Sequence, residues 1–185
     1  MKTGVVLLAA GQGIRFGGGK LTAEFRGRPL WEWAAETAEA VDVSERLLVV
    51  GCNSPLARPG WRRIENPAAE QGMGTSIAAG VSALGHCARA IIVLADMPLV
   101  SPAHLGRLLA SRGAAFTRYR DGKGGCPAIF PRRFFPQLLS LSGDRGARSL
   151  DLTDMELLAP GHEFELADVD EARDLEQLNS SLRTE

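Results

Sequence analysis

The chain runs from a continuous apolar stretch at residues 5–10 straight into Gly11-Gln12-Gly13-Ile14-Arg15-Phe16-Gly17-Gly18-Gly19-Lys20. An apolar run of this length, with no polar alternation, fits a strand buried on both faces, as in a parallel sheet. The glycines that follow permit positive φ and close backbone approach. Amide N–H groups can therefore converge on an anion while Arg15 and Lys20 neutralise it. Two cations in so short a loop repel each other unless an anion lies between them, which favours a phosphate cradle over a plain flexible connection.

Two better-known glycine signatures are excluded by spacing. A P-loop needs Ser or Thr directly after its lysine to reach Mg²⁺, but Leu21 follows Lys20. A dinucleotide fingerprint needs a third glycine three residues after the second, and Phe16 stands there.

Further apolar runs at 47–50 and 91–95 alternate with helical patterns at 30–41, 74–84 and 102–110. Ser101 followed by Pro102 is a good helix start, with a hydroxyl cap and a proline in the first turn. Strands joined by helices predict a doubly wound α/β sheet covered on both sides. In the second half, strand-like 115–119 and 128–130 flank the polar, turn-rich segment 118–125, which predicts an excursion from the main sheet. A short helix is expected at 134–141, a last strand at 163–167 and a closing helix at 171–178. No repeat or linker is visible, so one domain over residues 1–185 is expected.

With 21 basic and 22 acidic side chains the net charge is −1, giving no general pull toward nucleic acid or anionic membrane. No apolar run approaches the ~20 residues of a membrane span. Three scattered cysteines, Cys52, Cys87 and Cys126, suit neither a disulfide framework nor a zinc site, and a reducing, cytoplasmic compartment is the natural expectation. His86, His104 and His162 lack metal-ligand spacing.

Ligands of open α/β sheets bind at the carboxyl ends of the strands. Lys20 follows the first strand and Asp96 ends the run 91–95, so cradle and carboxylate are expected to share one crevice. A carboxylate beside phosphates is repulsive unless a divalent cation intervenes, and Mg²⁺ takes few protein carboxylates while keeping phosphate ligands. Alternatively, Asp96 is a turn former before Met97-Pro98. Asp168 and Asp170, two apart at the end of the expected last strand, would point to one face. Alternatively, Asp170 caps the next helix. Gly72-Met73-Gly74-Thr75-Ser76 reads either as a helix start capped by Thr75 or Ser76, or as a glycine-flanked segment able to present backbone and hydroxyl groups to a base.

The opening Leu8-Ala9-Ala10-Gly11-x-Gly13-x-Arg15-Phe16-Gly17-x-x-Lys20 resembles that of the nucleotidyltransferases of molybdenum cofactor biosynthesis. Ala10 favours the cytidylyl branch, since guanylyl relatives typically have Gly there. Further blocks match in order: Asn66-Pro67 with Gln71 to Ser76, Ala95-Asp96-Met97-Pro98, Cys126-Pro127 with Gly143-Asp144-Arg145-Gly146-Ala147-Arg148, and Asp168-Val169-Asp170 before Asp174-Leu175. The resemblance implies a Rossmann-like, three-layer fold of the nucleotide-diphosphosugar transferase type with a mostly parallel sheet, forming a single nucleotidyltransferase domain. It implies CTP bound by Leu8, Ala9, Ala10, Gly11, Gly13, Arg15, Lys20, Gly72 and Ser76. It also implies catalysis by Lys20, Arg15 and Asp96, with Mg²⁺ on Asp96, Asp168 and Asp170. A phosphorylated acceptor, molybdopterin or its molybdenum form, would meet Cys126, Pro127, Asp144, Arg145 and Arg148, with delivery to a molybdoenzyme as a further possibility.

The chain departs from this family where Glu171-Ala172 replace a Thr-Pro, where Cys126 replaces a frequent His, and where Phe16 replaces a frequent Met. Two other readings stay open: a sugar- or polyol-phosphate cytidylyltransferase, and a nucleotide- or cofactor-binding chaperone without turnover. A few relatives carry redox assignments, for which no dinucleotide fingerprint is present.

Overall fold

The computed structural model describes residues 1–150 and 155–181. In chain order its elements are β1 (Thr3–Ala9), β2 (Glu24–Phe25), β3 (Arg28–Pro29), α1 (Leu30–Glu39), β4 (Glu45–Gly51), β5 (Arg62–Asn66), α2 (Met73–Ala83) and β6 (Arg89–Leu94). There follow α3 (Pro102–Ala110), β7 (Ala115–Arg118), β8 (Gly124–Pro131), α4 (Phe135–Leu139), β9 (Glu156–Leu158) and α5 (Ala172–Ser181). Among the described residues the main sheet has seven strands in the order β5-β4-β1-β6-β8-β7-β9. β5, β4, β1 and β6 are parallel, while β8 runs antiparallel to β6 and β7.

β1 is apolar throughout because it is central and covered on both faces. Val5, Leu7 and Ala9 pack with Trp31, Ala34 and Ala38 of α1 and with Leu105 and Leu108 of α3. Val6 and Leu8, pointing the other way, pack with Ile77 and Val81 of α2 and Leu138 of α4. This is the three-layer, mostly parallel architecture expected. A smaller cluster of Phe25, Leu30 and Val169, joined by Leu175 and Leu178 of α5, ties α5 to the β2–β3 pair and the start of α1.

α3 begins as its sequence requires, with the Ser101 hydroxyl accepting from the His104 amide at 3.1 Å. Other expectations are corrected. Residues 163–167 are not a strand: Glu163–Leu166 is a 3₁₀ turn capped by the His162 ring, and the last strand is β9. The segment 118–125 does not leave the main sheet, because β7 and β8 pair antiparallel within it. β5 escapes the apolar signature because it is an edge strand carrying Arg62, Arg63 and Glu65. No helix among the described residues is long and apolar enough to cross a membrane.

The strand order reverses beside β1, whose neighbours β4 and β6 are reached by crossovers in opposite directions. The loops leaving β1 and β6 therefore part at the switch point, where a crevice opens. The closeness of α2 to β1 depends on Gly80, where a Cβ would lie 2.3 Å from a Val6 methyl and 3.0 Å from a Val49 methyl. Gly80→Ala gains up to ~1 kcal/mol of helix propensity but should lose ~1–3 kcal/mol to overpacking. The variant is expected to be less stable in denaturant titration; a rise in stability would contradict the close packing.

Candidate active site

The loop after β1 folds as a one-turn 3₁₀ segment, Ile14–Phe16, bracketed by Gly13 and Gly17 with φ of 60° and 89°. Gly18 and Gly19 also have positive φ, 93° and 65°, and this run of left-handed residues turns the chain back so that Lys20 re-enters the protein. Gly13 is required twice over, since a Cβ there would lie 2.9 Å from that of Lys20.

Lys20 is buried, only 8% exposed. Its ammonium donates to Asp96 Oδ2 at 2.8 Å and to Asp170 Oδ1 at 3.4 Å, while Arg15 reaches the other oxygen of Asp170 at 3.2 Å. Asp96 Oδ1 is buried and has no hydrogen-bond partner. Three chain segments thus meet around one cation: the loop after β1, the turn after β6 and the approach to α5.

Asp170, not Asp168, carries the contact with Lys20. Both lie in irregular chain after the 3₁₀ turn, where strand alternation does not apply. Nor does Asp170 cap α5 with its side chain. The Asp174 carboxylate instead accepts the amides of Asp170 and Glu171 at 3.0 and 2.7 Å, leaving the Asp170 carboxyl to the cations. Asp168 has an exposed residue surface, yet desolvation of its carboxyl, then the charges of Asp170 and Asp96, raise its pKa above the usual carboxylate range. The direction fits a carboxylate sharing the field of the other two.

The opposite wall is built from Asn66. Its amide donates to Thr75 Oγ1 at 2.9 Å and Ser76 Oγ at 3.0 Å and accepts from the Ala68 amide at 3.0 Å. Thr75 Oγ1 also lies within hydrogen-bond distance of the Ala68 and Gly72 carbonyls, at 2.9 and 2.8 Å. Ser76 accepts from Asn66, so its own proton is left for a group in the crevice it lines. α2 itself starts from Gly72 without a side-chain cap, so neither Thr75 nor Ser76 serves as one.

The crevice of ≈ 370 Å³ is lined by Leu8, Ala10, Gly11, Gly13, Arg15, Lys20, Gly72, Ser76, Asp96, Asp144 and Asp170, among others. Ala9 lines the neighbouring hollow of ≈ 460 Å³ above β4 and β5, and a Gln12–Glu70 hydrogen bond of 2.9 Å spans residues that line both. Neither residue of that bridge is marked by any sequence motif. The crevice thus brings together most of the expected nucleotide residues, with Asp96, Asp170 and Asp144.

Cys126, Pro127, Arg145 and Arg148 do not line it. The carbonyls of Cys126 and Pro127 accept from Tyr119 and Thr117 at 2.6 and 2.7 Å, across a cis peptide. Burial, then the Asp96 charge, pushes the Cys126 thiol up to about 12, so it stays protonated at neutral pH. Arg148 is close enough to oppose that shift electrostatically. Asp144 and Arg145 belong to a segment pressed against the start of α2. Gly72, at φ 117°, would place a Cβ 2.3 Å from the Gly143 carbonyl carbon, and the Gly74 amide donates to the Gly143 carbonyl at 2.9 Å.

A glycine loop ending in a buried lysine, facing carboxylates at a switch point, defines a nucleotide-handling α/β enzyme. The chain belongs to the family described by the MobA-like NTP transferase domain, whose model matches residues 5–156, and it is a nucleotidyltransferase. It is 36% identical over 159 residues, 77% of this chain and 78% of the other, to nicotine blue oxidoreductase of Paenarthrobacter nicotinovorans. A nucleotidyl transferase of Methanothermobacter thermautotroptrophicus has a TM-score of 0.84 at 22% identity, covering 100% of this chain and 99% of that one. Rv0371C of Mycobacterium tuberculosis H37Rv, in complex with manganese, has a TM-score of 0.77 at 23% identity, covering 98% and 100%. These two likenesses establish the fold.

Gly72→Ala meets both a left-handed φ and a backbone clash, so it should cost ~1–3 kcal/mol in denaturant titration. Limited proteolysis near residue 143 should quicken at the same time; wild-type stability would contradict the close approach.

Proposed function

We propose that this nucleotidyltransferase moves CMP from CTP onto a phosphorylated small molecule, molybdopterin or its molybdenum form, with Mg²⁺ and release of pyrophosphate. The observation that carries the reading is the Lys20 ammonium held between Asp96 and Asp170 at the switch point. Cytidine is favoured by Ala10 in the opening motif and by the Ser76 hydroxyl, a donor suited to the O2 or N3 acceptor of cytosine. A cytoplasmic site of action, and delivery of the product to a molybdoenzyme, belong to the same reading.

An oxygen of the acceptor phosphate attacks the α-phosphorus in line, and the bond to the pyrophosphate oxygen breaks. The second pKa of a phosphate monoester lies near about 6, so the nucleophile is ionised at neutral pH and no general base is needed. Lys20 and Arg15 neutralise charge building on the non-bridging and leaving oxygens, and the loop glycines let the backbone approach them. The buried, unpartnered Asp96 Oδ1 and the neighbouring Asp170 carboxylate fit a divalent cation, with Asp168 as a further candidate. When bound, that cation supplies Lewis-acid neutralisation of the phosphates. The manganese in the complex of the fold relative supports the same requirement. Cys126, Pro127, Asp144, Arg145 and Arg148 are assigned to the acceptor side.

The relative named an oxidoreductase favours a second reading, hydride transfer. The glycine loop lacks the dinucleotide spacing, so transfer of CMP is the preferred one.

Pyrophosphate release from CTP, tested against molybdopterin and a panel of sugar and polyol phosphates, decides the acceptor; no release with any of them would contradict the reading. Lys20→Ala is expected to reduce kcat by ~10²–10³ with a smaller change in CTP binding. Asp96→Asn should abolish metal-dependent turnover in a folded protein, and unchanged metal dependence would leave Asp96 as a turn former. Arg145→Ala with Arg148→Ala should raise the acceptor KM and leave CTP affinity unchanged; unaltered acceptor kinetics would put the acceptor elsewhere.

A further inference from the structure

The Lys20 ammonium lies within reach of both Asp96 and Asp170, the two carboxylates to which the divalent cation is assigned above. We infer that Lys20 is a resident surrogate for the metal, and that the metal enters only together with the nucleotide, in exchange for the ammonium. The inference rests on the metal-dependent transfer proposed above.

The geometry carries it. Nζ lies 2.8 Å from Asp96 Oδ2 and 3.4 Å from Asp170 Oδ1. A magnesium ion would sit at ~2.0–2.1 Å from such oxygens, and so within a few ångströms of the ammonium. A dication and an ammonium that close repel each other, and the burial of Lys20 weakens the screening on its side. Lys20 is 8% exposed, and its stem is packed against Gly13, so the head group does not yield by drifting into water.

The converse constraint is equally firm. Asp96 and Asp170 both place an oxygen within 3.4 Å of the one Lys20 nitrogen, so without any cation the two carboxylates would repel one another. Arg15 covers only the outer oxygen of Asp170 and is itself largely exposed. The ammonium is thus what keeps the carboxylates together before a metal arrives.

One further observation and the coordination habit of magnesium give the order of events. Among the described residues no group of three or more His, Cys, Asp or Glu side chains is arranged to hold a metal ion. Magnesium commonly completes one or two protein carboxylates with substrate phosphates. A triphosphate therefore does two things at once: it supplies the missing oxygens and gives Lys20 another anion to bind. Metal and nucleotide must then strengthen each other's binding by the same factor. The ammonium, transferred to the phosphates, arrives where charge builds during the reaction.

Mn²⁺ serves as the probe, counted by the paramagnetic resonance of the free ion, with and without the non-hydrolysable α,β-methylene analogue of CTP. Wild-type protein alone is expected to bind Mn²⁺ weakly, and the analogue to tighten Mn²⁺ binding at least tenfold beyond the analogue's own chelation. Lys20→Met, which keeps the stem and removes the charge, should bind Mn²⁺ at least tenfold tighter without nucleotide and lose most of the coupling. Lys20→Gln should behave the same way if the methionine variant folds poorly by circular dichroism. Lys20→Arg, retaining a cation, should stay near wild type. Equal Mn²⁺ affinity of wild type and the uncharged variants, without nucleotide, would overturn the inference. CMP transfer is read separately by pyrophosphate release, so transfer with uncoupled metal binding rejects only the surrogate role, whereas failure of transfer rejects the earlier reading.

Discussion

One buried ammonium group joins three parts of the chain that are far apart in sequence. Lys20 comes from the loop after β1, Asp96 from the turn after β6, and Asp170 from the approach to α5. Removing one partner of a buried charge pair leaves an uncompensated charge, at a cost of ~3–5 kcal/mol when burial is complete. Here the carboxylates are partly open to solvent, so the cost is smaller. The more important consequence is positional: the cradle cannot shift without moving the carboxylates.

Around that centre the site is shaped by missing side chains. Gly13 lets the loop close on the Lys20 stem, and Gly72 and Gly74 let the 143–145 segment reach the start of α2. Asn66 then fixes the direction of the Ser76 hydroxyl from behind. Elements of the central sheet and α2 hold the walls of the crevice. Such preorganisation favours stabilisation of charge that develops during transfer.

Much of this was legible in the chain because parallel strands buried on both faces have an unambiguous signature. β1, β4 and β6 are continuous apolar runs, and α3 announces itself through Ser101 and Pro102. β5 was not legible, because an edge strand tolerates Arg62, Arg63 and Glu65. Residues 163–167 misled because alternation over five residues cannot distinguish a strand from a turn whose Phe164 is exposed. That misplacement also removes the argument that Asp168 and Asp170 point to one face, since strand alternation says nothing of two residues in irregular chain. Glycine spacing and the positions of Lys20 and Asp96 located the crevice. The Gln12–Glu70 bridge and the Asn66 network, which depend on tertiary approach, left no mark in the sequence.

The central claim is that Lys20, Asp96 and Asp170 form one charge centre, which exchanges its ammonium for a metal–nucleotide pair. The most direct measurement is a crystal structure with Mn²⁺ and the α,β-methylene analogue of CTP, with the metal located by its anomalous scattering. The account predicts manganese on Asp96 and Asp170 and on the analogue's phosphates, with the Lys20 ammonium moved from the carboxylates to a phosphate oxygen. Manganese bound elsewhere, or Lys20 still seated on Asp96 beside a bound nucleotide, would contradict it.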